Sequence, residues 1–342
     1  MDRGSSDPAA ARQFRASRTG SRIDIRAARG MCWTHNPYHQ PNTPQYSCRA
    51  ATGRATAGNP EPKASHRESG RRRGRRTAGN LRDMAVNLNN LGTVAHLQNR
   101  YDQAVPYYEQ AVALARSINN DYATAMPSGN LGMVAMQRGE YELAAPILDE
   151  SIRLFRSVGY EQKLAVMLGN RGNLSYRQEK YDEAATIQEE ALSRKRRIGD
   201  RLAVAHSLGD LGLTEIERGD IERAAELLTE ALDIFYDAGQ MDGVVQAIEA
   251  LARIAQHRNE LERATRLYGG AATLRAEIGV THHPADLPRH EASLEALRAA
   301  MDPSGFEAAW AIGHATSVLQ LIDETIPSQR QTEDSSVRGR SL

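Results

Sequence analysis

Residues 131–159 read LGMVAMQRGEYELAAPILDESIRLFRSVG, and eighty residues later 211–239 read LGLTEIERGDIERAAELLTEALDIFYDAG. The two align without a gap, and so do three further copies at a spacing of 40 residues. One series runs Leu91-Gly92, Leu131-Gly132, Arg171-Gly172, Leu211-Gly212 and Leu251-Ala252. Another runs Tyr101, Tyr141, Tyr181, Ile221 and Leu261, each followed by an acid. Ala104, Ala144, Ala184, Ala224 and Ala264 come two residues beyond each acid. A fixed period of this length marks a stacked array of supersecondary units.

Each copy reads as two antiparallel helices. The first, such as 84–98, spaces Leu88, Leu91, Val94 and Ala95 along one helical stripe. The second, such as 142–157, presents Ala144, Leu148, Ile152 and Phe155 on one side and opens with an acid at its positive dipole end. Small residues at the Gly92 and Ala104 positions let the two helices approach closely. Asn119, Gly159, Gly199, Gly239 and Gly279 are the expected left-handed stops of the second helices. Pro127 is expected to weaken or kink the first turns of its helix. Such a hairpin cannot bury its apolar face alone, so neighbours must stack into a superhelix.

The spacing resembles the tetratricopeptide repeat over about residues 85–284, lengthened from roughly 34 residues to 40. It looks like the variants found in kinesin light chain and bacterial regulators. The run 262–279 is followed by a Pro-containing loop and two expected cap helices, about 289–301 and from Gly305 to near Ile326. Phe306, Trp310 and Leu319 are the expected buried anchors of the cap. This end is similar to the C-terminal region of actinobacterial LuxR-type and adenylate-cyclase-type regulators, in which a STAND-class ATPase precedes a helical array. The resemblance implies a sensor or scaffold segment. No G-x-x-x-x-G-K-[ST] loop occurs in the sequence, so no ATPase is expected.

The fold expected is therefore all-α: a right-handed α-solenoid of five hairpins over 81–284, a two-helix cap over 285–326, and disordered tails at 1–80 and 327–342. Composition agrees. Of 342 residues 40% are hydrophobic but only 5% aromatic, so Ala, Leu, Ile and Val must fill the core. The net charge of zero hides an asymmetry: residues 1–80 carry 16 Lys+Arg against 5 Asp+Glu, and the rest carry 27 against 38. Residues 1–80 lack apolar periodicity, which is why they are expected to be disordered. Met84 sits where the ordered pattern begins, and a misplaced start codon or a truncated larger gene would produce the same appearance. No apolar run spans a membrane and no secretory signal opens the chain, so a cytoplasmic protein is expected.

Two tail features invite function. Arg71-Arg72-Arg73-Gly74-Arg75-Arg76 offers a phosphate contact for nucleic acid, but no aromatic platform accompanies it, and a solvated charge run is preferred. Cys32, His35, His39 and Cys48 form a C-x2-H-x3-H-x8-C set, yet the flanks predict no small fold to frame a zinc ion. No metal or cofactor is expected. His206, His257, His282, His283 and His290 share no ligand spacing on one helix face, and no catalytic set stands out. Arg194-Lys195-Arg196-Arg197 falls in a last helical turn and is read as structural.

The remaining candidates are Asn90, Asn130, Asn170 and Asp210, one period apart and continued by Ala250. An Asn side chain donates to and accepts from a peptide backbone at once. The family resemblance implies that such a ladder on the concave face holds an extended peptide. The competing reading has the same residues bonding neighbouring helices or water. The function expected is a non-enzymatic protein-interaction scaffold. A nucleic-acid-associated regulator and a small-ligand sensor are the alternatives.

Overall fold

The computed structural model describes residues 66–282 and 286–325, which form thirteen helices and no strand. The Cys32–Cys48 set and the segment 327–342 lie outside the described residues. Five hairpins follow one another: α1 (His66–Leu97) with α2 (Tyr101–Ser117), α3 (Asp121–Gln137) with α4 (Tyr141–Ser157), and α5 (Glu161–Arg177) with α6 (Tyr181–Ile198). Then come α7 (Arg201–Arg218) with α8 (Ile221–Asp237) and α9 (Met241–His257) with α10 (Leu261–Ile278). α1 begins at His66, so residues 66–80, expected to be disordered, are helical; of the Arg71–Arg76 cluster only the backbone is described.

The nine connections from α1 to α10 are two or three residues long, and each of them, like the longer segment after α10, contains a residue in the left-handed region. Those residues recur every 20 positions: Asn99, Asn119, Gly139, Gly159, Glu179, Gly199, Gly219, Gly239, Asn259 and Gly279. The residue after the left-handed one donates its N–H back to the last turn, as in Arg100 N to Ala95 O (2.9 Å) and Glu140 N to Ala135 O (2.9 Å). This returns a hydrogen bond to carbonyls that the helix end would otherwise orphan. The second-helix stops are those expected; the first-helix stops form an equal series beside them.

Within a hairpin the Gly of the repeat meets the residue sixteen positions on. A Cβ on Gly132 would lie 2.7 Å from Leu148 Cγ, and one on Gly212 would lie 2.7 Å from Leu228 Cγ. Ala144, Leu148, Ile152 and Phe155 are all buried, as expected. Leu91 and Val94 are not, at 51% and 43% exposed. In later repeats the same positions are covered: Leu211 and Leu251, which correspond to Leu91, and Val134 and Leu174, which correspond to Val94, are buried. α3 runs through Pro127 without a break, with the proline buried.

After α10 the chain forms α11 (Leu287–Ala300), α12 (Pro303–Ala315) and α13 (Val318–Thr325). The second expected cap helix is thus interrupted, because Thr316 is extended (ψ 131°). Phe306 is buried and Trp310 half-buried, but Leu319 is 51% exposed. The break rephases the chain so that Leu321 and Ile322 face the core instead.

Surface ion pairs repeat with the array. Arg138 pairs with Asp102, Arg218 with Asp182 (2.9 Å) and Arg258 with Glu222 (2.7 Å), each joining one hairpin to its neighbour. Arg116–Glu150, Arg156–Glu190 and Arg196–Glu230 form a second ladder at 2.7, 3.0 and 2.7 Å. The 194–197 cluster is absorbed into these contacts: Arg194 and Arg197 reach Glu161, and Lys195 donates to Ser207 Oγ (2.6 Å).

Candidate functional site

Within the five hairpins the odd-numbered helices, α1 to α9, contact one another across the hairpin boundaries, and no pair of the even-numbered helices α2 to α10 does so to a comparable extent among the described residues. The odd helices therefore line the inner face of the array. Side chains one repeat apart bridge them: His96 Nε2 and Gln137 Oε1 (2.6 Å), Asn130 Nδ2 and Asn89 Oδ1 (2.9 Å), Asn173 Nδ2 and Asp210 Oδ2 (3.0 Å), and Arg253 and Glu217 Oε1 (2.7 Å). Asn90, Asn130, Asn170 and Asp210 belong to this face, but their states differ. Asn90 is exposed. Asn130 and Asp210 each spend a bond on the neighbouring helix, whereas the buried Nδ2 of Asn170 has no hydrogen-bond partner among the described residues.

Around Asp210 the core turns polar. Gln188 stands where the other repeats carry Tyr108, Leu148, Leu228 and Tyr268. Its amide donates to Asn173 Oδ1 (3.0 Å) and its carbonyl accepts from Thr214 Oγ1 (2.7 Å). Burial pushes the Asp210 carboxyl upward, against the Asn173 hydrogen bond and the charge of Lys195, whose own ammonium burial pulls down. A buried network of this kind is stable because each member is satisfied. It separates an apolar cluster centred on α3–α5 from a larger one running from α6 to the cap.

The other half of the inner face is covered by the chain itself. α11 crosses repeats three to five. Arg289 donates to the Tyr176 hydroxyl (2.6 Å), lies 5.1 Å over its ring and stands 3.4 Å from Glu217 Oε1. Gln256 Nε2 donates to the Ser293 carbonyl (3.4 Å), and Arg177 approaches Asp286 at 3.9 Å. A guanidinium on a tyrosine face with a carboxylate beside it is a well-anchored arrangement. Sequence reasoning missed Tyr176, Glu217 and Arg253. The signal was present, since Asn170, Asn173 and Arg177 lie at i, i+3 and i+7 on one face and 217 and 253 continue those rows.

The family profile described as tetratricopeptide repeat matches residues 78–159 and 163–237. The first four hairpins, α1 to α8, are tetratricopeptide repeats. No curated protein matches the chain in sequence. Among solved structures, BtubC (BKLC) from P. vanneervenii is similar at 18% identity and TM-score 0.53, covering 63% of this chain and 89% of its own. A Rap protein complexed with competence and sporulation factor aligns at 14% identity and TM-score 0.52, over 73% and 70% of the two chains. A STAND protein with a tetratricopeptide repeat sensor from Pyrococcus horikoshii aligns at 16% and TM-score 0.51, over 68% of this chain and 38% of that one. At these identities the likeness concerns the fold. Among the described residues no helix is long and apolar enough to cross a membrane.

Proposed function

We propose that this tetratricopeptide array is a non-enzymatic interaction scaffold that binds an extended peptide segment of a partner protein on the inner face of its first three repeats. Asn90, Asn130 and Asn170 contact the peptide backbone there, and Asp210 closes the row. The observation that carries the reading is α11: the chain already uses the inner face of repeats three to five to hold one of its own segments. The inner face of repeat one carries the exposed Val86, Asn90 and Leu97, and the buried, unpartnered Asn170 amide lies in repeat three, where the stretch held by α11 begins. A peptide carbonyl accepting from Asn170, once its side chain turns outward, would relieve a buried donor whose isolation costs about 1–3 kcal/mol. The fold likeness to a STAND protein with a repeat sensor supports placing the scaffold in a signalling or transcriptional regulator.

The test begins with a random-peptide display selection on the wild-type chain. The binders are then measured against the triple variant Asn90→Ala, Asn130→Ala, Asn170→Ala. Three lost hydrogen bonds correspond to roughly 1.5–4.5 kcal/mol, or about one to three decades in Kd. Equal binding by a triple variant of unchanged helicity overturns the reading.

A further inference from the structure

Beside the edge of α11, three side chains far apart in the sequence come together. Glu249 is on α9, His282 follows the end of α10, and His290 is on the first turn of α11. One donor atom from each lies within 4.8 Å of the other two. Glu249 Oε1 stands 3.7 Å from His282 Nε2, and the two imidazole rings are 4.1 Å apart, centroid to centroid. All three residues are half-buried, so they are shielded from bulk water without being sealed from it. We propose that Glu249, His282 and His290 form a binding site for a divalent transition metal of the zinc class, which fastens α11 to the repeat array.

Two imidazoles and one carboxylate suit zinc, with water in the fourth position. Ligand bonds of about 2.0–2.2 Å put neighbouring ligand atoms of a tetrahedral site about 3.3 Å apart. The Glu249–His282 edge, at 3.7 Å, is close to that value, and the other two edges, within 4.8 Å, would have to shorten by side-chain rotation as the ion binds. The supporting shell is present. Arg275 grips Glu249 through Nε to Oε1 (3.2 Å) and a terminal nitrogen to Oε2 (2.7 Å), which fixes the carboxylate plane. Tyr268, itself buried, packs edge-on against the His290 ring at 5.4 Å. The Arg275 charge opposes a cation and tempers affinity, and Glu249 Oε1, which accepts from Arg275 Nε, faces His282 with its other side.

The site also answers a structural need. Of the fourteen residues of α11 only Leu297 is buried, so apolar packing holds this helix weakly. A metal bonded to α9, to the loop and to α11 would pin its N-terminal end at three points. Metal binding to the folded arrangement then adds directly to the stability of that docking.

The experiment uses the full chain, stripped with chelator and titrated with Zn2+ against a chromophoric competitor, with Co2+ as a spectroscopic substitute. A Cys32→Ser, Cys48→Ser variant removes the other potential ligand set and is expected to retain the site. His282→Ala and His290→Ala are each expected to weaken Zn2+ binding at least ~10-fold. In the intact site Zn2+ is expected to slow hydrogen exchange of α11 amides and raise Tm by ~2 °C or more. Should His290→Ala fail to fold, His282→Gln and Glu249→Gln give the same readout. Absence of Zn2+ binding, affinity unchanged by the histidine variants, or loss of all binding in the cysteine variant would each overturn the proposal.

Discussion

At the scale of the residue, Glu179 stands apart. Among the ten left-handed turn residues it alone is neither Gly nor Asn, and it holds φ +60°. An L-residue with a Cβ costs about 1–2 kcal/mol in that conformation, because Cβ crowds the following carbonyl oxygen. Glycine removes the strain but loses more chain entropy on folding, about 0.4–1 kcal/mol. Glu179→Gly is therefore expected to stabilise the protein by about 0.5–1 kcal/mol and raise Tm by ~1–3 °C. Differential scanning calorimetry reads this directly, and a lower Tm would show that the Glu179 side chain contributes something the strain argument omits. The same residue explains what was legible. Gly and Asn made the second-helix stops obvious, whereas Glu179 breaks the first-helix series and hides a 20-residue period that the backbone keeps.

At the scale of the element, the cap is seated by backbone on backbone. Gly313 of α12 faces the Arg266 carbonyl of α10 so closely that a Cβ would lie 2.0 Å from its oxygen. Neither atom belongs to a movable side chain, so Gly313→Ala must push α12 away from α10 and loosen Phe306, Leu321 and Ile322. Overpacking of this kind costs about 1–3 kcal/mol, and a Tm loss of ~3–10 °C is expected. Gly209 supplies the control: nothing lies within 4 Å of its would-be Cβ. Gly209→Ala is expected to raise Tm slightly through helix propensity. Equal responses of the two variants would mean that close approach does not seat the cap. The run 262–279 was visible in the sequence, but not that its Gly269 lies so close to α12 that a Cβ would stand 2.6 Å from the Trp310 carbonyl oxygen. The amphipathic pattern over 305–326 carried no mark of the break at Thr316, so Leu319 was placed inside and Leu321 overlooked. The gathering of Glu249, His282 and His290 was equally hidden, because no helical or repeat period relates those positions and only the turn back into α11 unites them.

At the scale of the whole molecule, each hairpin leans chiefly on its neighbours, so stability is a sum of local and interface contributions. The exposed ion-pair ladders add little individually, about 0–1 kcal/mol per pair, and the stacking of apolar faces dominates. The fifth hairpin has no sixth to cover it; α11–α13 take that place, closing over Leu267, Tyr268 and Leu274 with Phe306, Leu321 and Ile322 in the same cluster. A chain ending at Gly279 would expose those side chains as a contiguous patch and strip α11 from Tyr176 and Glu217. Patches of this sort drive association in water. The truncated chain is expected to elute as oligomers or aggregates in size-exclusion chromatography with light scattering. Its Tm should fall, and hydrogen-exchange protection should decline most in α9 and α10 and least in α1 and α2, since the loss propagates through nearest-neighbour interfaces. A soluble monomer of unchanged Tm would show that the fifth repeat caps itself, and a uniform loss of protection along the array would show a cooperative unit larger than the hairpin.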